Sequence, residues 1–316
     1  MSDLLVRAIA GDGLIRVLAA EATGLVSEAC RRHDTWPVAS AALGRALVGA
    51  ALLGAGLKGR ETVTLRIHGD GPLGAILAEA DGEGHVRGYV THPHVDLPLK
   101  DGKLDVGAAV GRTGFLYVTR DLGLKEMYTG SAPLVSGEIA EDLTHYLWTS
   151  EQQPAAVALG VLVHPDGAIA AAGGYLMQLL PTAAEEERQR LEANLRELGA
   201  VSRAIAAGLG PHQMLERLLA GFAYHVLDEQ ALEFRCRCSR ERAAGVLASL
   251  GSAELEAMLR EEGQAELRCE FCGTVYRFGR DELAAVLEET RGARAESRPR
   301  GAASGPPAGS TDPGPD

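Results

Sequence analysis

Four of the five cysteines in this 316-residue chain stand in two tight pairs near one end. In "FRCRCSRER" Cys236 and Cys238 are one residue apart. Thirty residues beyond Cys238, the stretch "RCEFCG" places Cys269 three positions before Cys272, with two residues between them. Two close pairs flanking a small module are the sequence form of a four-thiolate zinc site. Alternate residues of an extended segment point the same way, so Cys236 and Cys238 can converge on one ion. A C-x-x-C turn lets both sulfurs reach the same ion, and Gly273 just after it tolerates a positive φ. Four thiolates close the coordination shell, which leaves no position for hydrolytic chemistry.

The spacing alone is compatible with a purely structural site that folds the region by binding its metal. Two features favour a redox switch. A disulfide across C-x-C closes a very small ring, and strained disulfides are labile and regulatory. Arg235, Arg237, Arg240 and Arg268 also flank the thiols, and positive neighbours keep thiolates deprotonated and oxidisable. The same arginines could instead balance the charge of a zinc tetrathiolate, or form an RNA-binding patch. Oxidation of all four thiols would remove every ligand and the folding free energy of the ion with it. Cys30 has no partner at metal spacing, falls in a predicted helix, and reads as an inert buried thiol.

The rest of the chain excludes several classes. The formal charge of -12 disfavours phosphate backbones except at a local basic patch, and Arg235, Arg237, Arg240 and Arg242 form the one dense cluster. "MSDLLVRAIAGDG" lacks the charged and apolar regions of a signal peptide. Val38–Leu57 is apolar but carries Arg45 and four glycines, so a buried helix is expected rather than a membrane span. A cytoplasmic, reducing location follows, where clustered cysteines read as metal or redox centres.

Residues 1–180 read as an antiparallel-rich α+β domain. Strand-like runs fall at Leu4–Ala10, Leu14–Ala22, Thr62–His68, Leu73–Glu79, His85–Val90 and Gly114–Thr119, with turn residues between them. Helices are expected over Val38–Leu57 and around Ser136–Thr149. Residues 181–234 read as a helical linker. Thr182 and Glu185 offer a capping box, Leu191, Leu195 and Leu198 a narrow apolar stripe, and Pro211 a first-turn position. Such helices depend on what they pack against. Residues 235–291 form the small zinc module, with Ser239 and Ser252 as caps and Gly251 and Gly263 as stops. The segment 292–316 is too polar to order itself.

The stretch "CRCSRERAAGVLASLGSAELEAMLREEGQAELRCEFCGTVYRF" resembles the zinc module of the redox-regulated holdase chaperones, the heat-shock protein 33 family. "GDGPLGAILAEAD", "VRGYV", "LGLKEMYTGSAPLVSGEIAEDLTHYLWTSEQQPAAVALGVLV" and "GGYLMQLLP" resemble that family's N-terminal domain, so the likeness spans about Leu4 to Leu287. It implies a non-enzymatic, ATP-independent chaperone that is inactive when reduced, with one zinc ion on Cys236, Cys238, Cys269 and Cys272. It implies that oxidation forms Cys269–Cys272 first and Cys236–Cys238 second, with zinc release, linker unfolding and homodimerisation. Unfolded client proteins are then held under oxidative stress and later passed to ATP-dependent foldases. No membrane or nucleic-acid partner is expected. The alternative of a different class is an RNA-associated zinc-ribbon protein; a thiol oxidoreductase using Cys269 and Cys272 is a third.

Other motifs carry less. "GDGPLG" (Gly69–Gly74) matches a dinucleotide fingerprint, but Pro72 and the strand-like run after it favour a hairpin turn. His92 and His94 lack a third metal ligand. Ser27, Ser131, Ser136 and Ser150 lack a nucleophile elbow.

Overall fold

The computed structural model describes residues 3–180 and 183–296. In chain order the elements are β1 (Leu4–Ala10), β2 (Ile15–Glu21), α1 (Thr23–His33), α2 (Pro37–Gly54), β3 (Thr62–Gly69), β4 (Ala75–Asp81), β5 (His85–Val90), α3 (Val106–Val110), β6 (Gly114–Asp121), β7 (Tyr128–Pro133) and α4 (Ala140–Thr149). They continue with β8 (Ala155–Val163), β9 (Ile169–Leu179), α5 (Glu185–Leu198), α6 (Val201–Ala206), α7 (Pro211–Leu218), β10 (Tyr224–Ala231), β11 (Glu233–Phe234), α8 (Arg240–Ser249), α9 (Ser252–Glu261), β12 (Ala265–Arg268), β13 (Val275–Phe278) and α10 (Arg280–Glu296). The described residues pack as two compact units, one running to Arg237 and including Glu270–Gly273, the other made of Cys238–Cys269 and the described residues from Thr274 on.

The larger unit holds two sheets. One has the order β10-β1-β2-β9-β8 and is antiparallel throughout. The other, β11-β5-β4-β3-β6-β7, is antiparallel except for the β11–β5 pair. Helix α2 packs against β3, β4 and β5 of one sheet and β8 and β9 of the other. That placement explains its apolar residues on every side: a helix covered all round has no need of a polar face. It is long and apolar enough to cross a membrane, and 89% of it is buried inside the fold. It ends at Gly54, three residues short of the sequence expectation. Gly69–Gly74 makes the turn between antiparallel β3 and β4, as a hairpin reading requires.

The inner strands of the five-stranded sheet, β2 and β9, are buried on both faces. Val6, Ala8 and Ala10 of β1, Ile15, Val17 and Ala19 of β2, and Ala171, Tyr175 and Met177 of β9 face a cluster completed by Leu191, Leu198, Val201, Ile205, Met214, Leu215 and Leu218. The period of two on the strands meets the narrow stripe of α5, α6 and α7. Leu191 and Leu198 are buried, as the stripe predicts, and Leu195 packs beside them. Helix α6 comes close because Gly160 and Gly173 have no side chains. A Cβ there would lie 2.7 Å from the Ser202 nitrogen and 2.4 Å from Ile205 Cδ1 respectively.

Three helices thus occupy the segment assigned to the helical linker, and β10, which the sequence reading omits, follows them and pairs with β1. Strands β7, β8 and β9 were likewise absent from the strand-like runs. Thr182 lies outside the described residues; within them, Glu187 accepts the Ala184 N–H at 2.8 Å and so caps α5. Pro211 opens α7, with the Gly210 N–H donating to Gln213 at 2.7 Å. Helix α4 begins at Ala140 rather than near Ser136, because Asp142 accepts the Val135 and Ser136 N–H groups and holds the preceding residues as a turn.

In the smaller unit, α8, α9 and α10 surround the β12–β13 hairpin. Its core is Ala243, Leu247, Leu255, Ala265, Phe278, Leu283, Val286 and Leu287. A core of that size stabilises a module weakly, which is where a metal cross-link matters most. Ser239 caps α8 by accepting the Arg242 N–H at 3.2 Å. Ser252 does not cap α9: Gly251, with φ of 90°, takes that position and Ser252 becomes the first helical residue. Helix α10 reaches Glu296, into the segment read as tail, and the remainder of that tail lies outside the described residues.

Candidate metal centre

Strand β11 ends just before the first thiol pair. It runs parallel to the start of β5, and the Arg235 N–H continues the ladder by donating to the Val86 carbonyl at 3.0 Å. Cys236 and Cys238 therefore leave an extended, anchored segment. The second pair sits in the loop of the β12–β13 hairpin, where Arg268 is paired with Val275. The Cys269 N–H donates to the Thr274 carbonyl at 2.9 Å, and Gly273 takes a φ of 70°, the conformation expected of it.

The sulfurs of Cys236, Cys238, Cys269 and Cys272 all lie within 4.8 Å of one another. None of the four is in a disulfide; Cys272 is buried and the other three are half-buried. A tetrahedral ion with sulfur at about 2.3 Å needs ligand sulfurs about 3.8 Å apart. The quartet fits a metal of that kind, and its all-sulfur donor set suits a soft or borderline ion. The Tyr276 hydroxyl donates to Cys238 Sγ at 3.1 Å.

Strand β5 and its neighbour β4 bring charge to this region. Arg87 lies opposite Glu79 across the β4–β5 pair and binds it through Nε at 2.9 Å and Nη2 at 2.7 Å. Its Nη1 donates to Cys236 Sγ at 3.8 Å, and its guanidinium lies 4.1 Å above the Phe271 ring. Burial works against the Arg87 charge, but Glu79 and the Cys236 sulfur outweigh it and raise its pKa. Asp81 accepts from the Glu83 and His85 N–H groups, and its other oxygen meets Arg237 and the His85 ring. Burial opposes the Asp81 charge too, yet the Arg237 guanidinium and those N–H donors hold its carboxyl below the usual carboxylate range.

These contacts also locate the arginine cluster. Arg237 is paired with Asp81, Arg235 meets the His85 ring at 3.0 Å, and Arg240 pairs with Glu282 while lying 4.6 Å over Phe278. Cys30 is buried in α1, with Sγ 4.0 Å from the Ser40 carbonyl, and burial pushes its thiol pKa up. His92 donates to the Pro72 carbonyl at 3.0 Å, and His94 pairs with Asp34 and packs on Trp36. Sequence reasoning passed over Arg87, Glu79, Tyr89 and Phe271. Nothing local marks them, because their contacts exist only once β5 lies beside the thiol segments.

Comparison with known proteins gives the family. The family model described as Hsp33 protein matches residues 3–279. The chain belongs to the Hsp33 family. It is 58% identical over 294 residues to the 33 kDa chaperonin of Symbiobacterium thermophilum, covering 92% of this chain and 98% of that one. It is 50% identical over 284 residues to the 33 kDa chaperonin of Geobacillus kaustophilus, covering 90% and 97%. The crystal structure of the 33 kDa chaperonin of Thermotoga maritima matches with a TM-score of 0.86 at 38% identity, over 92% of this chain and all of that one. Hsp33 membership makes this a chaperone family, whose work is to bind unfolded protein. The α+β architecture with a C-terminal cysteine quartet is the fold shared with that neighbour.

Proposed function

We propose that this chain is a cytoplasmic, ATP-independent holdase whose client binding is switched on by oxidation of Cys236, Cys238, Cys269 and Cys272. The observation that carries the reading is the quartet itself: four cysteine sulfurs, none in a disulfide, within 4.8 Å in a chain of a chaperone family. In the reduced state Cys236, Cys238, Cys269 and Cys272 would hold one zinc ion, which would supply a closed cross-link with folding free energy of about 10–16 kcal/mol as in small modules. The chain's own chemistry balances simply. Four thiolates, two hydrogen peroxide molecules and four protons give two disulfides and four waters. The pairs are Cys269–Cys272 and Cys236–Cys238, and no ligand is left for the ion.

Loss of the cross-link unfolds residues 235–291, whose apolar core is small. The linker, residues 181–234, then loosens from the five-stranded sheet. Apolar surface on β1, β2 and β9 becomes available to unfolded clients, the chain dimerises, and reduction later releases clients to ATP-dependent foldases. An RNA-binding role for the arginine cluster has less support, since Asp81 and Glu282 take up the charges of Arg237 and Arg240.

The test follows zinc and thiols together. Peroxide at raised temperature is added to the reduced protein, with a zinc-responsive dye and a thiol count. The proposal expects one zinc released per four thiols lost. Zinc retained while the four thiols disappear contradicts it.

A further inference from the structure

Cys236 and the turn residue Phe271 share one side chain, Arg87. The guanidinium is engaged through all three nitrogens and one face. Nε and Nη2 are fixed on Glu79, Nη1 points at Cys236 Sγ, and the flat face covers the Phe271 ring. Arg87 and Glu79 are 17% and 16% exposed, so water competes weakly for these bonds. Phe271 stands between Cys269 and Cys272 and is held from two further sides. The Tyr89 ring meets it edge-on at 5.5 Å, and His33 Nε2 donates to its carbonyl at 3.1 Å. Arg87, Glu79, Cys236, Phe271, Tyr89 and His33 all lie in the larger unit.

We propose that Arg87 is a positioning residue of the thiol site: by tying Cys236 to the C-x-x-C turn through Phe271, it sets how tightly the reduced site keeps its metal and how much oxidant is needed to fire it. The inference rests on the reading of the quartet as a zinc site. Its physical basis is threefold. The Nη1–H contact at 3.8 Å fixes where the Cys236 sulfur points. The stack on Phe271 removes rotational freedom from the turn that carries Cys269 and Cys272, so less order is lost when they ligate. Glu79 prevents the guanidinium from turning away. A planar fork does this and an ammonium does not. Groups that orient metal ligands from behind typically change metal affinity 10- to 100-fold when removed.

The experiment measures zinc transfer from the reduced, full-length protein to the chelator 4-(2-pyridylazo)resorcinol, without oxidant. Arg87→Ala is expected to release zinc about tenfold faster or more. Arg87→Lys keeps the charge but not the fork and falls between the two. Glu79→Gln, which leaves the fold's packing volume unchanged, also speeds release, and it serves if Arg87→Ala folds poorly. Phe271→Leu speeds release, and the double variant with Arg87→Ala is no faster than Arg87→Ala alone, because the two side chains form one contact. The peroxide dose for half-maximal thiol loss falls in the same order. Control variant Arg277→Ala, which removes an exposed arginine paired with Glu266, releases at the wild-type rate. Wild-type protein that holds one zinc while Arg87→Ala matches its release rate overturns this proposal alone. So does a double variant whose effect is the product of the two. Wild-type protein that holds no zinc overturns the zinc-site reading and this proposal together.

Discussion

Asn194 lies on α5 and is 8% exposed, a buried polar residue on an otherwise apolar face. Its Nδ2 donates to the Leu218 carbonyl at 3.0 Å and to the Ala220 carbonyl at 3.0 Å. It therefore ties α5 to the end of α7, and both helices cover the five-stranded sheet. Asn194→Ala deletes both donors. The Leu218 carbonyl is buried and left unpaired, at a cost of about 1–3 kcal/mol. The Ala220 carbonyl sits on an exposed residue and reaches water, so its bond is worth about 1 kcal/mol. The sum is about 2–4 kcal/mol, which raises the opening constant of the segment about 30- to 700-fold. Hydrogen exchange of the reduced protein reads this directly. Amides of α5 and α7 should lose protection while those of α2 and β3 keep theirs. Asn194→Asp keeps the shape but turns a donor towards neither carbonyl at neutral pH, and it should loosen the segment more than the alanine. In the client-aggregation assay both variants should show activity before oxidation. Equal loss of protection across both sheets would refute the idea that this segment opens as a unit. So would unchanged protection throughout.

Other expectations follow from single sites. Gly44→Ala in α2 gains about 1 kcal/mol of helix propensity, but its Cβ would lie 2.7 Å from Val26 Cγ1 and 2.8 Å from Val161 Cγ2. Overpacking of about 1–3 kcal/mol should win, so the melting temperature should fall, and a rise would show that the valines turn away freely. Glu28, bonded to Arg31 and Arg32, has a pKa lowered from 4.5 to about 2. A depressed carboxyl stabilises above its unfolded pKa and loses that contribution as pH falls through its folded one. Because the pair is partly solvated, Glu28→Gln should cost only about 0.5 kcal/mol at neutral pH, and the difference from wild type should shrink below pH 4.5 and in molar salt; a constant difference would contradict the ion-pair account. Cys30→Ser should leave zinc release and thiol oxidation unchanged, since Cys30 is buried beside Ser40; a lost oxidation response would give that thiol a role in the switch.

The parts of the molecule with strong local chemistry were readable in the sequence. The cysteine spacing foretold the convergence of four sulfurs, because extended C-x-C and turned C-x-x-C segments leave few other arrangements. Helix α2 was readable from its unbroken apolar run, and the hairpin at Gly69–Gly74 from its turn residues. Strands β8 and β9 were not, because Ala- and Gly-rich runs such as "IAAAGGYLMQL" carry no regular alternation and few β-branched residues. Strand β10 escaped because it is an edge strand, with Asp228, Glu229 and Gln230 in a largely exposed "YHVLDEQA". Asn194 and Arg87 act through partners 24 and 149 positions away, and no window on the sequence contains such pairs.

The most direct measurement is light scattering from a chemically denatured client diluted into buffer, with either the reduced zinc-bound protein or the same protein after peroxide at raised temperature. The account predicts that only the oxidised form suppresses scattering, and that thiol reductant restores it to the inactive state. Suppression by both forms alike, or by neither, would contradict the claim that the four cysteines switch the chaperone on.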